Sequence, residues 1–417
     1  MKYKNMKNRT MVQKITVYLL TAAMLLSSGL LGSCSKSVQV SPGMNLGSEG
    51  IDFAKKLVTQ YPFRKAYSTQ EKGAADLIVA ELKDMGYKPE VVTFGTGTSI
   101  SQNIIVKIPG NGFQSEVSNA NSSQEATIKK QVIAGAHYDT AIGIEQREKY
   151  PDYDGIQENA SGVGALISIA KELKKKSNGY DVILIFFGAG NDKFAGSNYY
   201  FAGMTAEDIA KTDAMYCIES IYAGDKLYAH AGINSLQKGL KYEKRRKLYE
   251  ISDVAIANSI DLRFNESDLD VDVNSDKTPD VYREITTTKS DYSVFDNANI
   301  PCVFIESYDY FGASQSAQQE SKNPAFASTN GKIRGTNFDS LLKLPTILEE
   351  NRLEKRIKNT AFLIVEAIGK GIYKASSTSK TVSSTKTSSS SSSPANDSAK
   401  SSSSSKTSSS SKSSASK

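Results

Sequence analysis

The chain holds only two histidines, His137 and His230, so imidazole chemistry has few places to occur. His137 follows the apolar run QVIAGA, and Asp139 stands two residues on. Glu158 opens the stretch Glu158-Asn159-Ala160-Ser161-Gly162, and Glu219 follows the apolar run AMYCI. Imidazoles and carboxylates are groups that move protons and hold cations. Each also has a plainer reading. A histidine after a buried strand can be a hydrogen-bonded core residue, and Glu158 and Glu219 can cap or form salt bridges. Asp152 and Asp154, in the loop before Glu158, read as solvated, and His230 falls in a polar region.

The elements that must position these groups follow from the apolar pattern. Ser68 and Glu71 form a capping box ahead of a stripe of Ala74, Leu77, Ile78, Leu82 and Met85, a helix that Gly86 stops. Strands are expected at 89–94 and 103–108, and the polar stretch 110–131 reads as a long hairpin loop. Continuous apolar runs at 131–136, 181–187, 214–218 and 300–306 read as strands buried on both faces. Helices alternate with them at 161–176 and 206–211, and a last helix spans 349–368. Asn159 or Ser161 is expected to cap the helix at 161, with Gly162 allowing close packing. This order predicts an α/β fold, a mostly parallel mixed sheet with helices on both faces. Residues 222–290 are the least readable part. In such a sheet, ligands bind beyond the carboxyl ends of the strands. Residues 137–140, 158–162, 188–193 and 219–222 all fall there.

Those segments, in that order, resemble the co-catalytic zinc aminopeptidases of metallopeptidase family twenty-eight. That family also includes carboxypeptidase and transferrin-receptor ectodomains and glutaminyl cyclases. The matching residues are Gly135-Ala136-His137-Tyr138-Asp139, Glu158-Asn159-Ala160-Ser161-Gly162, and Phe186-Phe187-Gly188 with Gly196-Ser197 eight residues on. Ser290-Asp291 with Phe295 and Ile300-Pro301 resembles a late strand of the family, and Thr336 with Asp339 its final loop. The resemblance covers about residues 50–372 and implies a single zinc-exopeptidase-like domain.

The resemblance further implies two zinc ions held by two His and three carboxylates, with a separate Glu as general base. His137 occupies the first ligand position, and Asp139 resembles the carboxylate that orients it. Glu158 stands in place of the bridging Asp, and Glu219 at a position for Asp or Glu. These three imply at most a single zinc site. The remaining positions depart from the pattern. Gly190 stands where the family has its general base, Asn191 where it has a second-zinc ligand, and Gly335 where it has the last His. A general base contributes about 10²- to 10⁴-fold in rate, so hydrolysis is expected to be impaired and the cleft to bind peptides or a partner. The alternative is an active metal-dependent exopeptidase with a rearranged or single-metal site using His137, Glu158, Glu219 and Asp192. A glutaminyl cyclase or a purely structural surface protein are further readings.

The two ends differ in kind from the middle. Residues 1–33 carry Lys2, Lys4, Lys7, Arg9 and Lys14 without an acid, then an apolar stretch ending in Leu31-Gly32-Ser33-Cys34. This reads as a signal peptide with a lipobox, so that Cys34 carries the lipid and residues 34–49 form a linker. Residues 375–417 hold 24 Ser, six Lys and one Asp, a composition expected to be disordered. Because the net charge of +6 resides in these ends, the middle, residues 50–374, has no basic surface for nucleic acid. The chain is thus expected to be exported and lipid-anchored at a bacterial cell membrane or surface. Cys217 and Cys302 sit in apolar runs, free or as one disulfide.

Overall fold

The computed structural model describes residues 46–369, apart from 120–121, 237–240, 267–268, 273–274 and 312–317. The signal peptide, Cys34 and the Ser/Lys tail lie outside the described residues. In chain order the elements are α1 (Ser48–Gln60), α2 (Thr69–Asp84), β1 (Glu90–Thr96), β2 (Ser99–Ile108), β3 (Phe113–Asn119), β4 (Ser122–Ile128) and β5 (Gln131–His137). Then come α3 (Ser161–Leu173), β6 (Asp181–Phe187), α4 (Ala195–Ala202), α5 (Ala206–Lys211), β7 (Thr212–Ile218), β8 (Lys226–His230) and α6 (Lys241–Ala257). The chain continues through β9 (Leu269–Val271), β10 (Asp280–Tyr282), α7 (Ser293–Asn297), β11 (Cys302–Tyr308), α8 (Leu344–Ile347) and α9 (Arg352–Gly369).

Seven strands form one sheet in the order β1-β2-β6-β5-β7-β11-β8. The four central strands β6, β5, β7 and β11 run parallel, and antiparallel strands close both edges. The expected α/β class and mixed sheet are what the chain adopts. Alternate residues of β5 serve opposite faces: Val132, Ala134 and Ala136 meet the helices α1, α2, α3, α6 and α9, whereas Ile133 joins the layer built with α4, α5 and α7. A strand buried on both sides needs no polar residue, which is why these runs read as continuous apolar sequence.

Several local expectations change. The polar stretch 110–131 holds the hairpin β3–β4 rather than a loop. A helix, α1, precedes the one signalled by Ser68; its N-cap is Gly47, which has no side chain to cap with. At α2 the Ser68 hydroxyl accepts from Glu71 N at 3.1 Å, but Glu71 turns its carboxylate to the Tyr67 amide instead of closing the box. Neither Asn159 nor Ser161 caps α3, whose N-cap is Ala160 without a side-chain bond. Cys217 and Cys302 are free and buried.

Two contacts fix the frame around the strand ends. Arg64, wholly buried, donates to the carbonyls of Tyr138 (2.7 Å), Asp154 (2.8 Å) and Gly155 (2.8 Å), tying the loop after β5 to the loop before Glu158. Helix α1 meets α3 at a glycine contact, where a Cβ on Gly50 would lie 2.0 Å from the carbonyl oxygen of Gly164 and 2.1 Å from Ser168 Oγ. Backbone atoms cannot yield as a flexible side chain can. Gly50→Ala is therefore expected to lower stability by about 1–3 kcal/mol, read from urea unfolding; an unchanged midpoint would contradict this packing.

Candidate metal centre

Three of the residues singled out by spacing meet at the carboxyl ends of β5 and β7. One donor atom each from His137, Glu158 and Glu219 lies within 4.8 Å of the others. His137 ends β5 and donates its Nδ1–H to Asp139 Oδ1 at 3.2 Å, which leaves Nε2 for the cluster. Asp139 is itself held by the amides of Gly190 (2.6 Å) and Asn191 (3.0 Å). Burial works against the imidazolium, but the hydrogen bond to Asp139 and the charges of Asp139, Glu219 and Asp291 outweigh it and push His137 up to about 10.

Glu158 is aimed by its backbone. Asp339 accepts from the amides of Gln157 (2.6 Å) and Glu158 (3.2 Å), so the last loop grips the turn that presents this carboxylate. Asn159 extends the grip, donating to the carbonyls of His137 (3.1 Å) and Ile218 (3.0 Å) and accepting from Ser220 N (2.9 Å). Ser161 Oγ donates to the Gln157 carbonyl at 3.0 Å and accepts from Ile221 N at 3.2 Å. These two residues thus lace the ends of β5 and β7 to the Glu158 turn, work more specific than capping. Burial raises the Glu158 carboxyl to about 7 against the opposing charges of Arg334 and His137.

Glu219 has both oxygens occupied. Ser290 Oγ donates to Oε2, and Arg334 Nη1 donates to Oε1 at 2.9 Å. The same guanidinium donates through Nε to Glu320 Oε1 at 3.0 Å and lies 3.8 Å from Glu306 Oε2. Neither Arg334 nor Glu306 nor Glu320 is evident from the motif. Glu306 had a signal, because it ends an apolar run just as Glu219 does. Burial raises Glu306 to about 7 despite Arg334. His230, placed by sequence in a polar region, is instead fully buried on β8, with Nδ1 3.8 Å from Glu306 Oε1.

The remaining expectations divide. Asp192 lies outside the cluster, exposed, accepting from the Tyr67 hydroxyl at 2.7 Å. Asp154 is not solvated: it accepts from Ile156 N (2.9 Å) and Leu341 N (2.7 Å), and burial raises it to about 7. Asp152 pairs with Lys343 at 2.8 Å, half-buried. Gly190 is packed so tightly that a Cβ there would lie 2.4 Å from His137 Cβ. Gly335, next to Arg334, has no side chain to offer a metal.

A cleft of about 570 Å³ opens at Glu158, lined also by Asn191, Tyr308, Glu320, Lys332 and Arg334. A larger groove of about 800 Å³ lies against α4 and α5, lined by Ile105, Ile183 and Tyr200, away from these groups.

The profile described as "Peptidase family M28" matches residues 119–333, more than half of the chain. The protein belongs to peptidase family M28. The alkaline phosphatase isozyme conversion protein of Escherichia coli (strain K12) is 23% identical over 332 residues, covering 78% of this chain and 90% of that protein. Among solved structures, a glutaminyl cyclase of an Acidobacteriales bacterium superposes with a TM-score of 0.52 at 17% identity, over 80% of this chain and 98% of the other. A zinc aminopeptidase of Bacillus subtilis gives 0.51 at 12% identity, over 77% and 95%. At these identities the likeness establishes the fold, that of the M28 peptidases, a family of zinc-dependent hydrolases.

Zinc takes N and O donors from three protein residues and keeps a further position open. By donor type and proximity, His137, Glu158 and Glu219 fit one such ion. Gly190, Asn191 and Gly335 supply no side-chain carboxylate or imidazole, and the Arg334 guanidinium holds Glu219 Oε1.

Glu71 shares the behaviour of Asp154. It accepts from Ser101 Oγ and the amides of Ala189 and Tyr67, yet burial, then the charge of Asp139, raise it to about 7. The folded chain thus keeps these protons to higher pH than the unfolded chain, where the same groups titrate near 4. Stability contributed by the protonated forms falls as pH rises from about 4 to 7. Buried His230, lowered to about 3, opposes this only below its unfolded value of 6.5. The urea midpoint in chelator is expected to drop between pH 5 and pH 8; a rise would contradict the desolvation of Glu71 and Asp154.

Proposed function

We propose that this M28 domain binds peptides or a protein partner in the cleft over His137, Glu158 and Glu219, with hydrolysis impaired. One observation carries the reading. The backbone at Gly190 lies against His137 so closely that no side chain fits, so the place of the family's general base cannot present a carboxylate to a water above the cluster. A base must be within hydrogen-bond reach of the proton it takes. A zinc ion held by His137, Glu158 and Glu219 would polarise a peptide carbonyl or its attacking water. The protein's own groups would orient the ligand. Asp139 keeps the imidazole in one tautomer, Asp339 holds the Glu158 turn, and Lys332, Asn191 and Tyr308 line the approach.

The compactness of the three-donor cluster favours a second reading, an exopeptidase acting with a single metal ion. Elemental analysis and an aminoacyl p-nitroanilide panel on the same zinc-supplemented sample separate the two. Impaired hydrolysis predicts turnover at the level of a His137→Ala control, and no recovery in Gly190→Glu, whose added side chain must displace His137. Turnover that His137→Ala abolishes, with stoichiometric zinc, would establish the second reading.

The same proposal takes the chain to be exported and held at the membrane by lipid on Cys34, supported by the basic, apolar and Leu31-Gly32-Ser33-Cys34 order of its first residues. Incorporation of a labelled fatty acid, lost in Cys34→Ser, tests the anchor. Equal labelling of both would remove it.

A further inference from the structure

Arg334 is the most heavily engaged cation of the cleft, and none of its charge partners is its sequence neighbour. Its guanidinium reaches Glu219 at the end of β7 (2.9 Å), Glu306 within β11 (3.8 Å) and Glu320 in the segment after β11 (3.0 Å). Glu320 also fixes the backbone that carries this arginine, accepting from the amides of Ile333 (2.6 Å) and Arg334 (2.9 Å) on its other oxygen. Gln157, next to Glu158, donates to Glu320 at 3.3 Å. One carboxylate therefore clamps both ends of Arg334, backbone amide and guanidinium. The side chain is held in place rather than laid across the cleft by chance.

Three carboxylates, Glu219, Glu306 and Glu320, thus surround this one guanidinium. A guanidinium stays charged at every physiological pH and spreads that charge over five donors, which suits a ring of carboxylates. We propose that Arg334 is the resident cation of this cluster, occupying the side of Glu219 where a second divalent ion would have to bind and weakening the hold of His137, Glu158 and Glu219 on a first one. The idea deepens the functional reading above, on which it rests for the identity of the site. It names what the protein uses in place of the missing second set.

The physical basis is competition. A divalent ion on Glu219 must share its carboxylate with a unit positive charge a few ångströms away, and in a partly buried site that repulsion is only weakly screened. Removing the charge leaves Glu219, Glu306 and Glu320 seeking a cation, and the ion is the one available.

The test uses the full chain in detergent, stripped of metal and titrated calorimetrically with zinc chloride, with zinc counted after desalting. Arg334→Gln is expected to bind zinc about tenfold or more tightly than the wild type, or to gain a second equivalent. Arg334→Lys, which keeps the charge but cannot span Glu219 and Glu320 together, should fall between the two. Adding His137→Ala to Arg334→Gln should abolish the gain, placing it in this cluster. Equal affinity and stoichiometry in wild type and Arg334→Gln would overturn the proposal, as would two tightly held zinc ions in the wild type. Should near-UV circular dichroism show Arg334→Gln unfolded, Arg334→Lys decides: tighter zinc binding supports the proposal and unchanged binding overturns it. Hydrolysis by the wild type would overturn the functional reading while leaving this comparison intact, so the two fail separately.

Discussion

Carboxylates gathered at the carboxyl end of a buried parallel sheet repel one another and lose water, and something positive has to offset that cost. In this protein Glu158, Glu219, Glu306 and Glu320 converge there, and His137 and Arg334 lie against them. Asp139 holds the His137 ring, and Glu320 clamps Arg334 in place. Much of the surrounding backbone serves to keep these groups in register. Arg64 binds the loops on both sides, Asn159 joins the ends of β5 and β7, and Asp339 holds the Glu158 turn. Breaking a buried pair of this kind leaves an uncompensated charge, so the arrangement is self-consistent only as a set.

Seen this way, the departures from the M28 pattern belong together. The glycine at 190 lets its own amide and that of Asn191 approach Asp139, and it packs on His137 in the space a base would fill. Arginine at 334 brings a fixed charge beside the glycine at 335, where the family has an imidazole. On the proposed reading the hydrolase scaffold is kept while the charges of its pocket are held by fixed partners, Arg334 among them. Binding in the cleft survives such a change more easily than catalysis, because catalysis requires a proton acceptor placed within hydrogen-bond reach.

The sequence made the sheet legible where physics leaves a local trace. Strands such as Gln131–His137 and Asp181–Phe187 are apolar throughout because both of their faces are covered. The hairpin of Phe113–Asn119 and Ser122–Ile128 left no such trace, since it pairs only with itself and most of its residues are polar. Helix Ser48–Gln60 lacked a capping side chain, so its start carried no signal. The strand-end rule found His137, Glu158 and Glu219. It could not find Arg334, whose partners lie 14 to 115 residues away and are set by tertiary contact alone. Asp154 looked solvated because one of its two partners, the amide of Leu341, is 187 residues away.

The most direct test of a pocket with one place for a metal ion and a guanidinium in the other is anomalous diffraction at the zinc edge from crystals grown in zinc. The account predicts at most one peak, among His137, Glu158 and Glu219, with Arg334 still bonded to Glu320. Two peaks about 3.5–4 Å apart, the spacing of a two-metal hydrolase centre, with Arg334 swung clear of Glu219, would contradict it.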